Sequence, residues 1–179
     1  MINQACLNAQ EAPTMEELSA KTANAVRTSS RPNIDGMLND KVWDNSIPIS
    51  DLIQFEPDNL APITENTEVR ILYDDEAFYI GFKCFDRSPG QIMRRLARRD
   101  QWKEAASNNA DWVSISLDPQ NDDKTGYIFI VNAAGIKVDV FVPDDENYDQ
   151  AWDAVWDAKV NLDSDGWTAE MKIPFSIFQ

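Results

Sequence analysis

The chain has 179 residues, 43% of them hydrophobic and 26% charged, which is enough for one globular domain with a core of its own. Its 31 acidic and 16 basic residues give a formal charge of −15, which argues against nucleic acid as the main partner because phosphate binding needs a net positive surface. Histidine is absent, which removes His-based acid–base chemistry, His–metal sites and His ligation of haem, and no apolar run approaches the ~20 residues of a membrane helix.

Residues 1–30 are polar and rich in Ala, Ser, Thr and Asn, and read as a flexible leader or signal remnant. Ala5 to Gln10 matches the tail of a signal peptide near its cleavage site, without the positive and apolar regions that precede one. Met15 to Ala25 has a weak helical pattern with few apolar anchors. From Arg31 the pattern becomes β, so one domain is expected over residues 31–179.

Thr67 to Tyr73 alternates, with Val69, Ile71 and Tyr73 on one face. Asp74 to Ala77 is a turn, and Phe78 to Phe85 returns as the second strand of a hairpin. That second strand is apolar at nearly every position, which predicts cover on both faces. Ser88 to Arg99 is expected to be a short helix, with Pro89 at its start and Ile92, Met93 and Leu96 at helical spacing.

Asp111 to Asp118 is a strand with Val113, Ile115 and Leu117 inward, followed by a polar loop from Pro119 to Thr125. Tyr127 to Val131 and Ile136 to Val142 form a hairpin across Asn132–Gly135. Trp156, Ala158, Val160 and Leu162 share a face, as do Trp167, Ala169, Met171 and Ile173, on either side of the turn Asp163–Gly166. About seven strands and one short helix predict an all-β, antiparallel β-sandwich of immunoglobulin or jelly-roll type. Cys6 and Cys84 do not make a disulfide framework, and both read as free, Cys84 as a small core residue.

Four acidic clusters, Asp74–Glu76, Asp118 with Asp122 and Asp123, Asp144–Glu146, and Asp163 with Asp165, all fall at turns, where Asp bonds its own backbone. Some pair among 31 acids will meet the spacing of a glycoside hydrolase by chance, so such pairs carry no catalytic reading. Asp144, Asp145 and Glu146, with Asn147 and Asp149 nearby, are the densest oxygen cluster and the place for a hard cation such as calcium. No nucleophile elbow, phosphate loop or Cys/His metal pattern is present.

Sugars stack their C–H faces on flat exposed rings. Trp43, Trp156 and Trp167 lie in apolar registers and read as core. Trp112 shares its strand face with Ser114 and Ser116, Trp102 lies in a polar run, and Trp152 is flanked by Gln150 and Asp153, so these three are the candidate platforms. Arg94, Arg95, Arg98 and Arg99, with Arg87 and Lys103, hold over a third of the positive charge in a small window. They either pair internally with the acidic surface or form a dock for an anionic sugar, a lipid headgroup or an acidic partner.

Several segments resemble one family: Ile34-Asp-Gly36 with Trp43, Val69 to Asp74, Asp86, Asp111 to Asp118, Thr125 to Tyr127, Val131-Asn132, Gly166 to Glu170, and Ile173-Pro174. It is the carbohydrate-binding module family 9-like domain, in the form found at the N-terminus of long secreted bacterial outer-membrane proteins. The resemblance implies a sandwich fold, a non-catalytic role in binding oligo- or polysaccharide and a link to polysaccharide breakdown or uptake. It also implies structural calcium, and secretion to the periplasm or outer membrane of a Gram-negative bacterium. Any hydrolase activity would lie outside this chain. It implies at least one further core strand beyond Gln179, so a C-terminally truncated domain is expected.

The known sugar clamp of the family does not transfer. Sugar-binding members carry a Trp where this chain has Asn108, three residues before Asp111, and a Glu where it has Ser114. They carry an Arg where this chain has Ile130. Two readings follow. One is a rearranged sugar site built on Trp102, Trp112 or Trp152 with Asn108, Asp111 and Ser114. The other is a periplasmic interaction domain serving a downstream outer-membrane β-barrel, with the Arg cluster at its contact surface and no sugar bound. No haem is expected.

Overall fold

The protein is seen in a computed structural model that describes residues 22–106, 109–144 and 146–178, without the side chains of Trp102 and Glu104. Nine strands follow in chain order: β1 (Val26–Arg27), β2 (Thr67–Tyr73), β3 (Ala77–Phe85), β4 (Trp112–Leu117), β5 (Gly126–Asn132), β6 (Lys137–Asp144), β7 (Asn147–Asp149), β8 (Asp157–Asp163) and β9 (Gly166–Pro174). One α-helical turn, α1 (Trp102–Ala105), lies between β3 and β4. Two sheets result, a five-stranded one in the order β1-β2-β3-β9-β8 and a four-stranded one in the order β4-β5-β6-β7. The seven longer strands are those expected, and all pairings among the seven are antiparallel.

Period-two alternation explains the main core. Ile80, Phe82 and Cys84 of β3 and Trp167, Ala169, Met171 and Ile173 of β9 face Val113, Tyr127, Phe129 and Val131 of the other sheet. Ala158, Val160 and Leu162 of β8 close one side, and Ile115 and Leu117 of β4 pack against the same cluster. Trp156 is buried there with its ring 5.2 Å from that of Phe129. Cys84 is free and buried, and burial pushes its thiol up to about 12.

The outer face of the five-stranded sheet is covered as well, as the apolar run in β3 predicts. Leu72, Ala77 and Tyr79 pack there against Trp43, with Ile34, Leu38 and Val42 from the segment before β2. Gly36 makes this cover possible. It sits at φ 91°, and a Cβ on it would lie 2.7 Å from the Val160 backbone. Its N–H donates to Glu170 Oε2 at 2.8 Å, beside the Asp35 N–H at 2.9 Å and the Trp43 indole N–H to Oε1 at 2.9 Å. Glu170 is fully buried on β9 and holds these three donors together.

Two expectations are corrected. The folded unit starts before Arg31: β1 pairs in parallel with β2, and Thr28 is buried, donating its backbone N–H to Tyr73 O at 2.8 Å. The expected helix over Ser88–Arg99 is absent. Only Pro89–Gln91 makes a 3-10 turn, and residues 92–98 have no regular structure. The backbone groups a helix would pair internally go elsewhere. Met93 N–H donates to the Asp111 carboxylate at 2.6 Å, Met93 O accepts from Asp111 N–H at 2.9 Å, and Arg95 O accepts from the Asn132 amide at 2.9 Å. Stacked guanidinium groups at Arg94/Arg98 and Arg95/Arg99 would also disfavour that helix. The weak helical pattern of Met15 to Ala25 lies mostly outside the described residues, as does Cys6.

Candidate functional site

The outer face of the four-stranded sheet carries two of the candidate residues, Trp112 and Ser114. Register fixes who shares that face: Trp112 is opposite Asn132, Ser114 opposite Ile130, and Ser116 opposite Ile128. Ile128 and Ile130 in turn face Val140 and Val138 of β6. The middle of this face is sealed. Ala97, Ala105 and Ala106 pack over Ile130, Val138 and Val140, and Ile130 is 0% exposed. The position where sugar-binding members of the resembling family carry an Arg is therefore apolar and covered.

Two stretches of the face stay open. At one end Trp112 is 42% exposed, in line with the outward Ser114 and Ser116 of the same edge strand. At the other, Ser116, Ile128, Val142 and Tyr148 line a groove of about 360 Å³ with Asp118, Lys124 and Thr125. Tyr148 is 56% exposed, and sequence reasoning did not single it out. Its signal was weak, since it stands in a polar run between Asn147 and Asp149.

The other candidate aromatics differ. Trp152 packs into the core rim, with its ring 5.2 Å from Tyr127, 6.1 Å from Phe129 and 6.2 Å from Phe141. It is a packing residue and not an open platform, because the segment before β8 folds its ring over the sheet's inner face. Trp102 begins α1, but its side chain lies outside the described part, and Asn108 lies outside the described residues. Asp111 pins the 92–98 segment through Met93 and accepts from Ala133 N–H at 2.8 Å, so its groups position the loop beside Trp112. Ser114 is exposed.

The arginines divide. Arg99 is 40% exposed yet paired within the chain: its guanidinium meets Asp139 at 2.9 Å, Asp153 at 2.5 Å, Asp100 at 3.3 Å and Ala154 O at 2.7 Å. Asp139 is fully buried on β6 and also accepts from the Trp156 indole at 2.9 Å and from Ala154 N–H at 2.6 Å. Burial pushes the Asp100 carboxyl up, and the neighbouring Asp139 adds to it. The Arg99 guanidinium is thus already engaged and not free for a partner, since a buried carboxylate needs a cation. Arg94, Arg95 and Arg98 are exposed, and their side chains have no ion pair among the described residues.

Two acidic groups bear on metal binding. Asp144 caps its own turn, accepting from the Asn147 amide at 2.7 and 2.8 Å and from the Asn147 backbone N–H at 3.0 Å. The Asn147 amide leads in holding its carboxyl below the usual range. Glu146 is exposed beside it, and Asp145 lies outside the described residues. Asp100, Asp139 and Asp153 bring carboxylate oxygens within 4.8 Å of one another, a gathering the sequence reading missed because the three are far apart in the chain. Arg99 already stands among them as the compensating cation. No helix among the described residues is long and apolar enough to cross a membrane.

No protein-family model matches the chain, and a search of curated proteins finds no match. Solved structures do match. A carbohydrate-binding module family 9 from Caldicellulosiruptor kristjanssonii in complex with cellotriose superposes with a TM-score of 0.59 at 21% identity, covering 87% of this chain and 68% of that one. The same kind of module from that organism in complex with glucose gives 0.58 at 20% identity, covering 86% and 70%. A candidate carbohydrate-binding protein from Bacteroides uniformis gives 0.60 at 18% identity, covering 87% and 72%. At these identities the likeness establishes architecture, and architecture alone does not assign a ligand. The chain has the fold of the carbohydrate-binding module family 9 domains.

Proposed function

We propose that this is a non-catalytic carbohydrate-binding domain that serves polysaccharide breakdown or uptake outside the cytoplasm. The observation that carries the reading is Trp112. Of the tryptophans whose side chains are described, it alone is exposed, and it stands on a strand beside two outward hydroxyls. A rigid flat ring with hydroxyl groups in line with it suits a pyranose, which offers an apolar face and a polar edge. The solved structures of the same fold include modules in complex with cellotriose and with glucose, which supports a sugar as the ligand class. The covered Ile130 and the missing clamp residues mean that the site is built differently here.

The test is calorimetric titration with cello- and xylo-oligosaccharides, with and without calcium. Saturable binding that Trp112→Ala abolishes, in a variant with unchanged thermal unfolding, is the expected result. No heat with neutral or acidic glycans from the folded domain overturns the reading. A second reading, a contact domain for an outer-membrane barrel, is favoured by the exposed Met93 and Leu96 beside the free arginines.

A further inference from the structure

We propose that the ligand of this face is an acidic polysaccharide, one whose uronate carboxylates are held by Arg94, Arg95 and Arg98 while a ring stacks on Trp112. The inference rests on the carbohydrate reading above and narrows its substrate class.

Placement comes first. Trp112 and Asn132 are register partners and share the outer face. The Asn132 amide reaches across that face to Arg95 O, and Met93 is tied to Asp111 through its N–H and its carbonyl. Residues 93–95 therefore run directly alongside Trp112. These are hydrogen bonds to Asn132 at the end of β5 and to Asp111 just before β4, so the segment is held in place without being helical.

Charge comes second. The chain has 31 acidic residues and a formal charge of −15, so a surface arginine has many chances of an acidic neighbour. Arg27, Arg31, Arg87 and Arg99 each have one. Arg94, Arg95 and Arg98 have none among the described residues, although they lie within one five-residue window. A bound carboxylate takes two parallel N–H bonds from a guanidinium, and three exposed arginines without an acidic partner leave such bonds available. The field of the net charge of −15 is long-range and screened beyond about 8 Å at physiological ionic strength, whereas a bound carboxylate would meet these arginines at hydrogen-bond distance.

Shape separates the acidic sugar from an acidic peptide. The exposed apolar element at the centre is a flat indole in line with the outward Ser114 and Ser116. A pyranose bearing a carboxylate offers both a C–H face and an anion on one small rigid unit.

The experiment is calorimetry on the whole chain with tetragalacturonate, cellotetraose and a tetraglutamate peptide. It uses the native protein, Trp112→Ala, and the combined variant Arg94→Gln, Arg95→Gln, Arg98→Gln, each checked for unchanged thermal unfolding. The expected result is tetragalacturonate binding about tenfold or more tighter than cellotetraose, a difference that charge-assisted bonds can supply. The arginine variant should bring it down to the neutral sugar's level, and Trp112→Ala should weaken it as well. Equal or tighter binding of cellotetraose overturns the acidic ligand and leaves the carbohydrate reading standing. No binding of either sugar by the folded protein overturns both. Tetraglutamate binding as tightly as tetragalacturonate, unaffected by Trp112→Ala, overturns the sugar and gives the surface to an acidic protein.

Discussion

Trp43 donates its indole N–H to Glu170 Oε1 at 2.9 Å across 127 positions of the chain, and the other carboxylate oxygen holds the N–H groups of Asp35 and Gly36. One buried acid thus fastens the segment before β2 to β9. Glu170→Gln places an amide N–H against one of these donors and is expected to cost about 3 kcal/mol, while Trp43→Phe removes a single bond to a charged group and costs about 2 kcal/mol. Urea unfolding of both variants checks the ranking. A neutral effect of Glu170→Gln would show that the carboxylate is protonated in the fold. Burial raises the Glu170 carboxyl above its ordinary 4.5, against the bonds from Gly36, Trp43 and Asp35. Its contribution to stability is accordingly full below about 4.5 and is lost as pH rises through its native value, a slope absent in Glu170→Gln.

Asp74 behaves in the opposite sense. Burial opposes ionisation here too and is the largest single effect. The Glu76 N–H, the Arg31 guanidinium, the Ala77 N–H and the Tyr79 hydroxyl together outweigh it and hold the carboxyl at about 2 instead of 3.8. A depressed acid gives stability that is present above its unfolded value and is lost as pH falls. Thermal unfolding of the native protein should therefore drop between about pH 4 and pH 2, and Asp74→Asn should lose part of that drop. Identical acid limbs would refute the assignment.

Arg99 is expected to be the cation on which Asp139 depends. Arg99→Ala leaves three carboxylates within 4.8 Å of one another, one of them fully buried, and should cost about 3 kcal/mol. Millimolar calcium should restore part of that loss in the variant, because the freed oxygens form a hard-cation donor set. Melting curves with calcium and with chelator check it, and an equal response of native and variant protein would contradict it.

Ile130→Arg tests why the sugar clamp of the resembling family does not transfer. Ile130 is fully buried with Ala105 on the sealed part of the sheet, so an arginine there meets the apolar Val138 and Val140. The variant should lose about 3 kcal/mol or more and gain no affinity for cello-oligosaccharides. Tighter cellotetraose binding by a stable variant would show that the face opens.

The sequence by itself determined the strands and their inward faces. Alternation in Trp167–Ile173, Val113–Leu117 and Tyr127–Val131 is a local property of the chain, and burial of one face follows directly from it. Two hairpins were legible as well, because a glycine at a tight turn marks where the strand reverses, Gly135 at φ 81° and Gly166 at φ 142°. The likeness to the carbohydrate-binding module fold was legible too, through Ile34–Gly36, Trp43 and Gly166–Glu170, and the contacts of Glu170 explain why those separate segments travel together.

Tertiary structure alone decided the rest. The pairing of β3 with β9, the burial of Asp139 and Glu170 with their partners, and the course of residues 92–98 all depend on groups far apart in sequence. Helical spacing at Ile92, Met93 and Leu96 misled because the backbone there bonds to Asp111 and Asn132 instead of to itself. That same course pairs Arg99 with Asp139 and Asp153, leaves Arg94, Arg95 and Arg98 exposed without an ion pair among the described residues, and runs beside the open Trp112. A local pattern states which side of a strand is apolar. It does not state which distant segment will cover the opposite side, and that cover decided which residues remain available to bind.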